Sequence, residues 1–215
     1  MKTDAVIFDL DGTLIDSMYI WESFELPFLQ KRGIVPPADL RSKLRPMGLA
    51  QASEYLNQRF QIMQTTQQTM AEIADQVAEE YDFNVQLKPY AKQALERLAR
   101  LGIPMCIVTA SEREHVLSAL NRLHAAEYFQ FILTCTEEGM GKDNPEIFCR
   151  AAHRMGIIHY HKVLVLDDAL YALKAAKQAG FSVGAVYDSS AQADKSEICG
   201  ICDYYYHSLK ELEVE

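Results

Sequence analysis

Long apolar runs are missing from this 215-residue chain, and none approaches the length that a membrane-spanning helix requires. The start, Met1-Lys2-Thr3-Asp4, lacks the form of a signal peptide. These two absences give the expectation of a cytoplasmic protein with no membrane partner. A basic patch is missing as well. Lys and Arg number 21 against 30 Asp and Glu, and the formal charge of −9 argues against a nucleic-acid partner. That charge also repels anions at long range, so an anionic ligand needs a local exception. Five cysteines include Cys199-x-x-Cys202, but no second such pair and no thioredoxin-like context accompany it, which predicts reduced thiols. The six histidines lack zinc-type spacing. Gly139-Met140-Gly141-Lys142 lacks the longer glycine spacing of a phosphate-binding P-loop, and Asp143 stands where that loop carries Ser or Thr.

What the chain does have is concentrated early. Apolar and aromatic residues make up nearly half of it, enough for a substantial core. Ala5-Val6-Ile7-Phe8 has the form of a buried strand, and Asp9-Leu10-Asp11-Gly12-Thr13-Leu14-Ile15-Asp16-Ser17 follows directly. Side chains alternate along extended backbone, so Asp9 and Asp11 point to one side if that geometry persists. Two unit negative charges a few ångströms apart in a half-buried cleft repel by roughly 4 kcal/mol at an effective dielectric near 20. Either one of them holds a proton, or a divalent cation removes the penalty. An ordinary strand ending in an Asp-Gly turn reads the same way, so the motif needs company.

Three more apolar runs end in polar groups. Residues 103–108 lead into Thr109-Ala110-Ser111, residues 131–134 lead through an acidic stretch to Gly141-Lys142, and residues 163–166 end in Asp167-Asp168. Each is followed by a helical pattern, which predicts an α/β fold with the polar residues on strand-to-helix loops. If the strands are parallel, those loops share the carboxyl edge of the sheet, where ligands bind. Up to four carboxylates, one ammonium and a hydroxyl cluster suit phosphoryl transfer. They supply a nucleophile, oxygen ligands for Mg²⁺ and donors for the phosphoryl oxygens.

In order and separation these motifs resemble the haloacid dehalogenase superfamily, in its phosphatase and β-phosphoglucomutase-like branch with a helical cap. The likeness spans nearly the whole chain: Asp9-x-Asp11-Gly12-Thr13, then Thr109 after a hydrophobic strand, Lys142 in Gly-Lys-Asp-Asn-Pro-Glu, Asp167-Asp168, and Ala175-Ala176-Lys177-Gln178-Ala179-Gly180. The resemblance implies a Rossmann-like parallel-sheet core from residues 1–16 and 87–215, with a small helical-bundle cap inserted at 17–86. It implies Mg²⁺-dependent hydrolysis of a small phosphate monoester, such as a sugar phosphate, through an aspartyl-phosphate. Asp9 is then nucleophile and metal ligand. Asp11 offers Mg²⁺ its backbone carbonyl, while its side chain acts first as acid and then as base. Thr109 and the Ala110 amide bind the phosphoryl group, and Lys142 offsets its charge. Asp168 binds the metal directly and Asp167 less directly. Ala169 and Ala172 depart from the Ser or Thr and the Gly common in related sequences, without touching a chemical role.

The insert lacks strand-like alternation and reads as several helices. Pro27, Pro36, Pro37 and Pro46 mark kinks or breaks, and hinges are expected near Asp16-Ser17 and Leu87-Lys88-Pro89. Closure of such a lid expels bulk water. Trp21, Arg45 and Met47 are the specificity candidates in the cap, with cap core an equal reading for Trp21. In the catalytic part, residues 88–101 predict a helix with Ala91, Ala94, Leu95, Leu98 and Leu101 on one face. Ser111 and Glu114 have capping-box spacing, Asn144-Pro145 opens a helix, and residues 204–206 form a last short strand.

The enzyme alternative is a phosphosugar mutase. Trp21 stands where those mutases carry histidine, Gly48-Leu49-Ala50-Gln51 replaces their arginine loop, and Glu112-Arg113 departs from their pattern, so the phosphatase is preferred. The alternative from another class is a catalytically retired binding protein, against which the nucleophile, lysine and metal ligands are all present. The expected partner is a small phosphorylated metabolite, and the chain is expected to be a monomer or weak dimer.

Overall fold

The uninterrupted apolar runs become the inner strands of a parallel sheet. The computed structural model describes residues 3–44, 47 and 49–213. Its strands are β1 (Ala5–Phe8), β2 (Ile15–Asp16), β3 (Gln86–Leu87), β4 (Met105–Thr109), β5 (Ile132–Thr134), β6 (Val163–Asp167), β7 (Ser182–Val186) and β8 (Tyr204–Tyr206). Its helices are α1 (Met18–Ser23), α2 (Glu25–Gln30), α3 (Leu40–Leu44), α4 (Leu49–Phe60), α5 (Thr66–Glu79), α6 (Ala91–Arg100), α7 (Arg113–Arg122), α8 (Cys135–Glu138), α9 (Glu146–Arg154), α10 (Leu170–Gln178) and α11 (Lys195–Ile201). The chain divides into two units, one formed by Met1–Ser17 with Val85–Glu215 and the other by Met18–Asn84.

The first unit is a Rossmann-like α/β fold. Six parallel strands lie in the order β5-β4-β1-β6-β7-β8, with Val6 opposite Met105 and Phe8 opposite Leu166. Every residue of β1, β4 and β6 is buried, so their sequences run apolar instead of alternating. From β1 the chain steps outward through β4 and β5, then crosses back to β6 and continues outward through β7 and β8. The strand order therefore reverses at β1, and the carboxyl ends of β1, β4 and β6 meet at this switch point. The core is built on Ile7, Val108 and Val165 with Phe148 of α9 and Phe181, whose rings meet edge to face with centroids 6.3 Å apart. A separate two-residue ladder pairs Ile15 with Leu87 and Asp16 with Gln86.

Helix α6 begins at Ala91, three residues later than its periodicity suggests. Tyr90 takes a left-handed conformation (φ +65°), which a helix cannot propagate through, and the Lys88 N–H bonds the Leu14 carbonyl at 2.8 Å. Ala91, Ala94, Leu95 and Leu98 are buried as expected, whereas Leu101 lies beyond the last helical residue and is exposed.

The second unit is helical throughout its regular structure, from α1 to α5, and ends in a π-helical turn at Glu80–Asn84. Thr65 and Gln68 close a capping box that starts α5: the Thr65 hydroxyl accepts from the Gln68 N–H at 3.2 Å and the Gln68 side chain accepts from the Thr65 N–H at 2.9 Å. Pro27 does not break a helix. It sits in the first turn of α2, where a missing N–H leaves no intrahelical bond unmade. Ala52, Leu56, Ile73 and Val77 line the buried faces of α4 and α5, and Tyr81 is fully enclosed. No helix among the described residues is long and apolar enough to cross a membrane.

Candidate active site

Asp9 follows β1 directly, and its N–H donates to the Leu166 carbonyl at 2.8 Å, which holds it beside β6. The chain then curls back. The Leu14 and Ile15 N–H groups both bond the Leu10 carbonyl, at 2.8 and 3.0 Å, and Gly12 adopts φ +78°. A left-handed residue is what this reversal needs, and glycine takes it without a Cβ penalty. Extended geometry thus gives way to a turn after Asp9. Asp11 points its carboxylate at two serines: Ser17 Oγ donates to Oδ1 and Ser111 Oγ to Oδ2, each at 2.6 Å.

Ser111 stands just ahead of α7. That helix begins at Arg113 after an extended Glu112, whose own side chain makes no cap bond. A hydroxyl has one proton to donate, and here Asp11 receives it. Thr109, fully buried at the end of β4, accepts the Ser111 N–H at 3.0 Å through Oγ1, which leaves its own proton free to donate. Ala110 is exposed.

Lys142 arrives from another part of the sheet edge. Gly139, left-handed at φ +67°, ends α8, and the following loop carries Lys142 before α9. Its Nζ lies 2.7 Å from Asp9 Oδ1 and 2.8 Å from Asp167 Oδ2. Asp167 accepts the Ala169 N–H at 2.9 Å through Oδ1, so both its oxygens are engaged. No hydrogen bond engages the Asp168 carboxylate among the described residues, although Asp168 is only 6% exposed. Asp9 and Lys142 are 4% exposed each.

One ammonium therefore faces three buried carboxylates. Burial pushes the Asp9 carboxyl well above its usual range; Lys142 pulls it back, and Asp167, Asp168 and Asp11 raise it further. Burial, with Asp167 beside it, also lifts the Asp168 carboxyl to about 7. Burial opposes the Lys142 charge, but Asp167 and Asp9 outweigh it and raise the amine well above its ordinary value. Asp9, Asp167 and Asp168 each place a carboxylate oxygen so that all three lie within 4.8 Å of one another. At that separation and an effective dielectric near 20, each like-charge pair costs roughly 3 kcal/mol. An all-oxygen donor set with excess negative charge fits a hard divalent cation such as Mg²⁺.

The sequence candidates Asp9, Lys142, Asp167 and Asp168 meet in one cluster, with Asp11 and Thr109 tied together through Ser111. Trp21 and Met47 belong to the helical unit. Trp21 is 41% exposed and its indole N–H donates to the Tyr81 hydroxyl at 3.2 Å. Met47 is partly buried, its N–H on the Leu44 carbonyl at 2.8 Å. Arg45 lies outside the described residues. The sequence marks Ser17 as a hinge and Ser111 as a cap residue, and nothing in it marks either as a partner of Asp11.

Residues 3–180 match the model of the haloacid dehalogenase-like hydrolase family, and the chain belongs to that family. Its named relatives are phosphatases, which supports an enzyme of the same type. The phosphorylated carbohydrates phosphatase of Thermotoga maritima is 23% identical over 177 residues, covering 82% of this chain and 82% of the relative. The mitochondrial (DL)-glycerol-3-phosphatase 1 of Arabidopsis thaliana is 27% identical over 218 residues, covering 98% of this chain and 72% of the relative. The solved structure of a provisionally named β-phosphoglucomutase from Thermotoga maritima superposes with a TM-score of 0.82 at 21% identity, covering 98% of this chain and 96% of that one. At that identity the likeness speaks to the fold alone.

Proposed function

We propose that this chain is a Mg²⁺-dependent phosphatase that hydrolyses a small phosphate monoester, a sugar or polyol phosphate, through an aspartyl-phosphate on Asp9. The observation that carries the reading is the convergence of Asp9, Lys142, Asp167 and Asp168 in one buried cluster beside the Asp11 turn. The names of the relatives, which act on phosphorylated carbohydrates and on glycerol 3-phosphate, support the substrate class.

Asp9 and Asp168 would hold Mg²⁺, with the Asp11 carbonyl, and Asp167 would steady the set through Lys142 and the Ala169 amide. When bound, the ion would neutralise charge on the transferring phosphoryl group. An Asp9 carboxylate oxygen attacks phosphorus as the bond to the leaving oxygen breaks. Asp11 gives its proton to that oxygen, which departs as the alcohol. Asp11 then takes a proton from water, whose oxygen attacks the acyl phosphate and releases phosphate and free Asp9. The two serines suit both stages, because a hydroxyl donates to a carboxylate and accepts from a carboxylic acid. Thr109 and the Ala110 N–H supply donors to the phosphoryl oxygens, and Lys142 compensates charge on Asp9.

A panel of phosphorylated metabolites tests the reading. Sugar and polyol phosphates should release inorganic phosphate with Mg²⁺ present, and release should stop with EDTA. Activity that survives EDTA, or isomerisation of a hexose phosphate faster than its hydrolysis, contradicts it.

A further inference from the structure

Lys88 lies outside the machinery described so far, yet all three of its ammonium protons have acceptors. Nζ donates to the Gly12 carbonyl, to the Tyr187 carbonyl at 2.7 Å, and to Asp188 Oδ2 at 2.8 Å. The Lys88 and Asp188 side chains are only 12% and 6% exposed. Asp188 is itself fixed, because Oδ1 accepts the Ser190 N–H at 2.9 Å and the Ser190 hydroxyl at 2.6 Å. Burial alone would raise this carboxyl, but hydrogen bonds from Lys88 and Ser190 outweigh it and hold the group below its usual value. Both Asp188 oxygens are therefore engaged.

The same lysine grips the Asp11 turn a second time. Its backbone N–H bonds the Leu14 carbonyl at 2.8 Å, so main chain and side chain together hold residues 12–14. Gly12 is buried and left-handed, and its N–H is already committed to Ile15. A buried carbonyl without a donor is costly, and Lys88 provides that donor from a base anchored after β7.

We propose that Lys88, anchored by Asp188, is a positioning residue that fixes the Gly12 peptide and with it the aim of the Asp11 side chain. The proposal rests on the reading of Asp11 as acid and base. An ion pair of merely structural value would change stability and leave the chemistry of proton transfer untouched. A residue that aims the acid matters most where the leaving oxygen most needs a proton.

The test compares two substrates at saturating Mg²⁺. One is 4-nitrophenyl phosphate, whose leaving group departs with little help. The other is the best alkyl phosphate of the metabolite panel, whose alkoxide needs the acid. Lys88→Met should lose about tenfold more kcat on the alkyl phosphate than on the aryl phosphate, with KM within about threefold. Lys88→Met/Asp188→Asn should show the same pattern, since its cause is the missing donor and not a stranded carboxylate. Asp188→Asn alone, which leaves the ammonium both carbonyls, should lose less. Equal losses on the two substrates in Lys88→Met, or a loss in Asp188→Asn as large as in Lys88→Met, would overturn the proposal. Asp11→Asn is the reference. If it lacks the leaving-group dependence, the assignment of Asp11 fails and the role of Lys88 falls with it. If it shows the dependence and Lys88→Met does not, only the inference about Lys88 fails.

Discussion

Ser111 donates its hydroxyl to Asp11 Oδ2 at 2.6 Å, across 100 residues of sequence. The bond joins the loop after β4 to the turn after β1, the two places where phosphoryl contact and proton transfer are proposed. A hydrogen bond to a charged group is worth about 1.5–3 kcal/mol, so Ser111→Ala should lower kcat by roughly ten- to a hundredfold. The melting temperature should fall little by comparison. Steady-state kinetics beside a thermal melt checks both halves; a large loss of stability with kcat intact would return Ser111 to the helix.

Lys142 offers the cluster its ammonium at 2.7 and 2.8 Å. Lys142→Met strands two buried carboxylates, a change that typically costs about 3–5 kcal/mol. The variant should be inactive and should melt well below the wild type in EDTA. Added Mg²⁺ should return more stability to it than to the wild type, because the ion compensates the same charge. Calorimetry with and without the metal reads that difference.

Asp168 is buried, and its carboxylate lies in the oxygen cluster with Asp9 and Asp167. Mg²⁺ at a hundredfold excess over its Kd should stabilise the native state by about 2.7 kcal/mol. Asp168→Ala should lose most of that shift. Asp167→Asn should keep more of it, since Asp167 is engaged by Lys142 and the Ala169 amide. Equal shifts in both variants and the wild type would remove these residues from the metal site.

The helical unit carries its own acid sensitivity. Arg32 bonds Glu72 with two guanidinium nitrogens, at 2.9 and 2.5 Å, and also reaches Gln64 and the Phe28 carbonyl. The Arg32 hydrogen bond holds the Glu72 carboxyl below its usual value. A depressed folded value stabilises above the unfolded pKa and loses its effect as pH falls through the folded one. Both side chains are partly exposed, so the worth is about 1 kcal/mol. Glu72→Gln should destabilise by that amount at pH 7, with the gap from wild type closing as pH falls below the ordinary glutamate value of about 4.3. Urea melts at several pH values would show it.

Most of the fold was legible because the inner strands are buried on both faces and so spell themselves as apolar runs. The polar residues that end β1, β4 and β6 gather because the sheet is parallel. What stayed hidden is local and long-range at once. Tyr90 in a left-handed conformation, which delays α6, has no pattern that marks it. Ser111 and Glu114 carry the right spacing for a cap, but nothing in that spacing shows that the hydroxyl also donates to a carboxylate from another loop. Lys88 reads as the first residue of a helix, and only the folded chain shows its ammonium on the Gly12 carbonyl. Such partners lie far apart in sequence, where periodicity says nothing.

The central claim is a covalent phosphoryl group on Asp9. The direct measurement is an acid-quenched single turnover with Mg²⁺, followed by mass spectrometry of the proteolytic peptides. The account predicts a transient phosphoryl adduct on the peptide bearing Asp9, absent in Asp9→Asn, whose turnover is abolished. Turnover without any such adduct, or an adduct on a different residue, would contradict it.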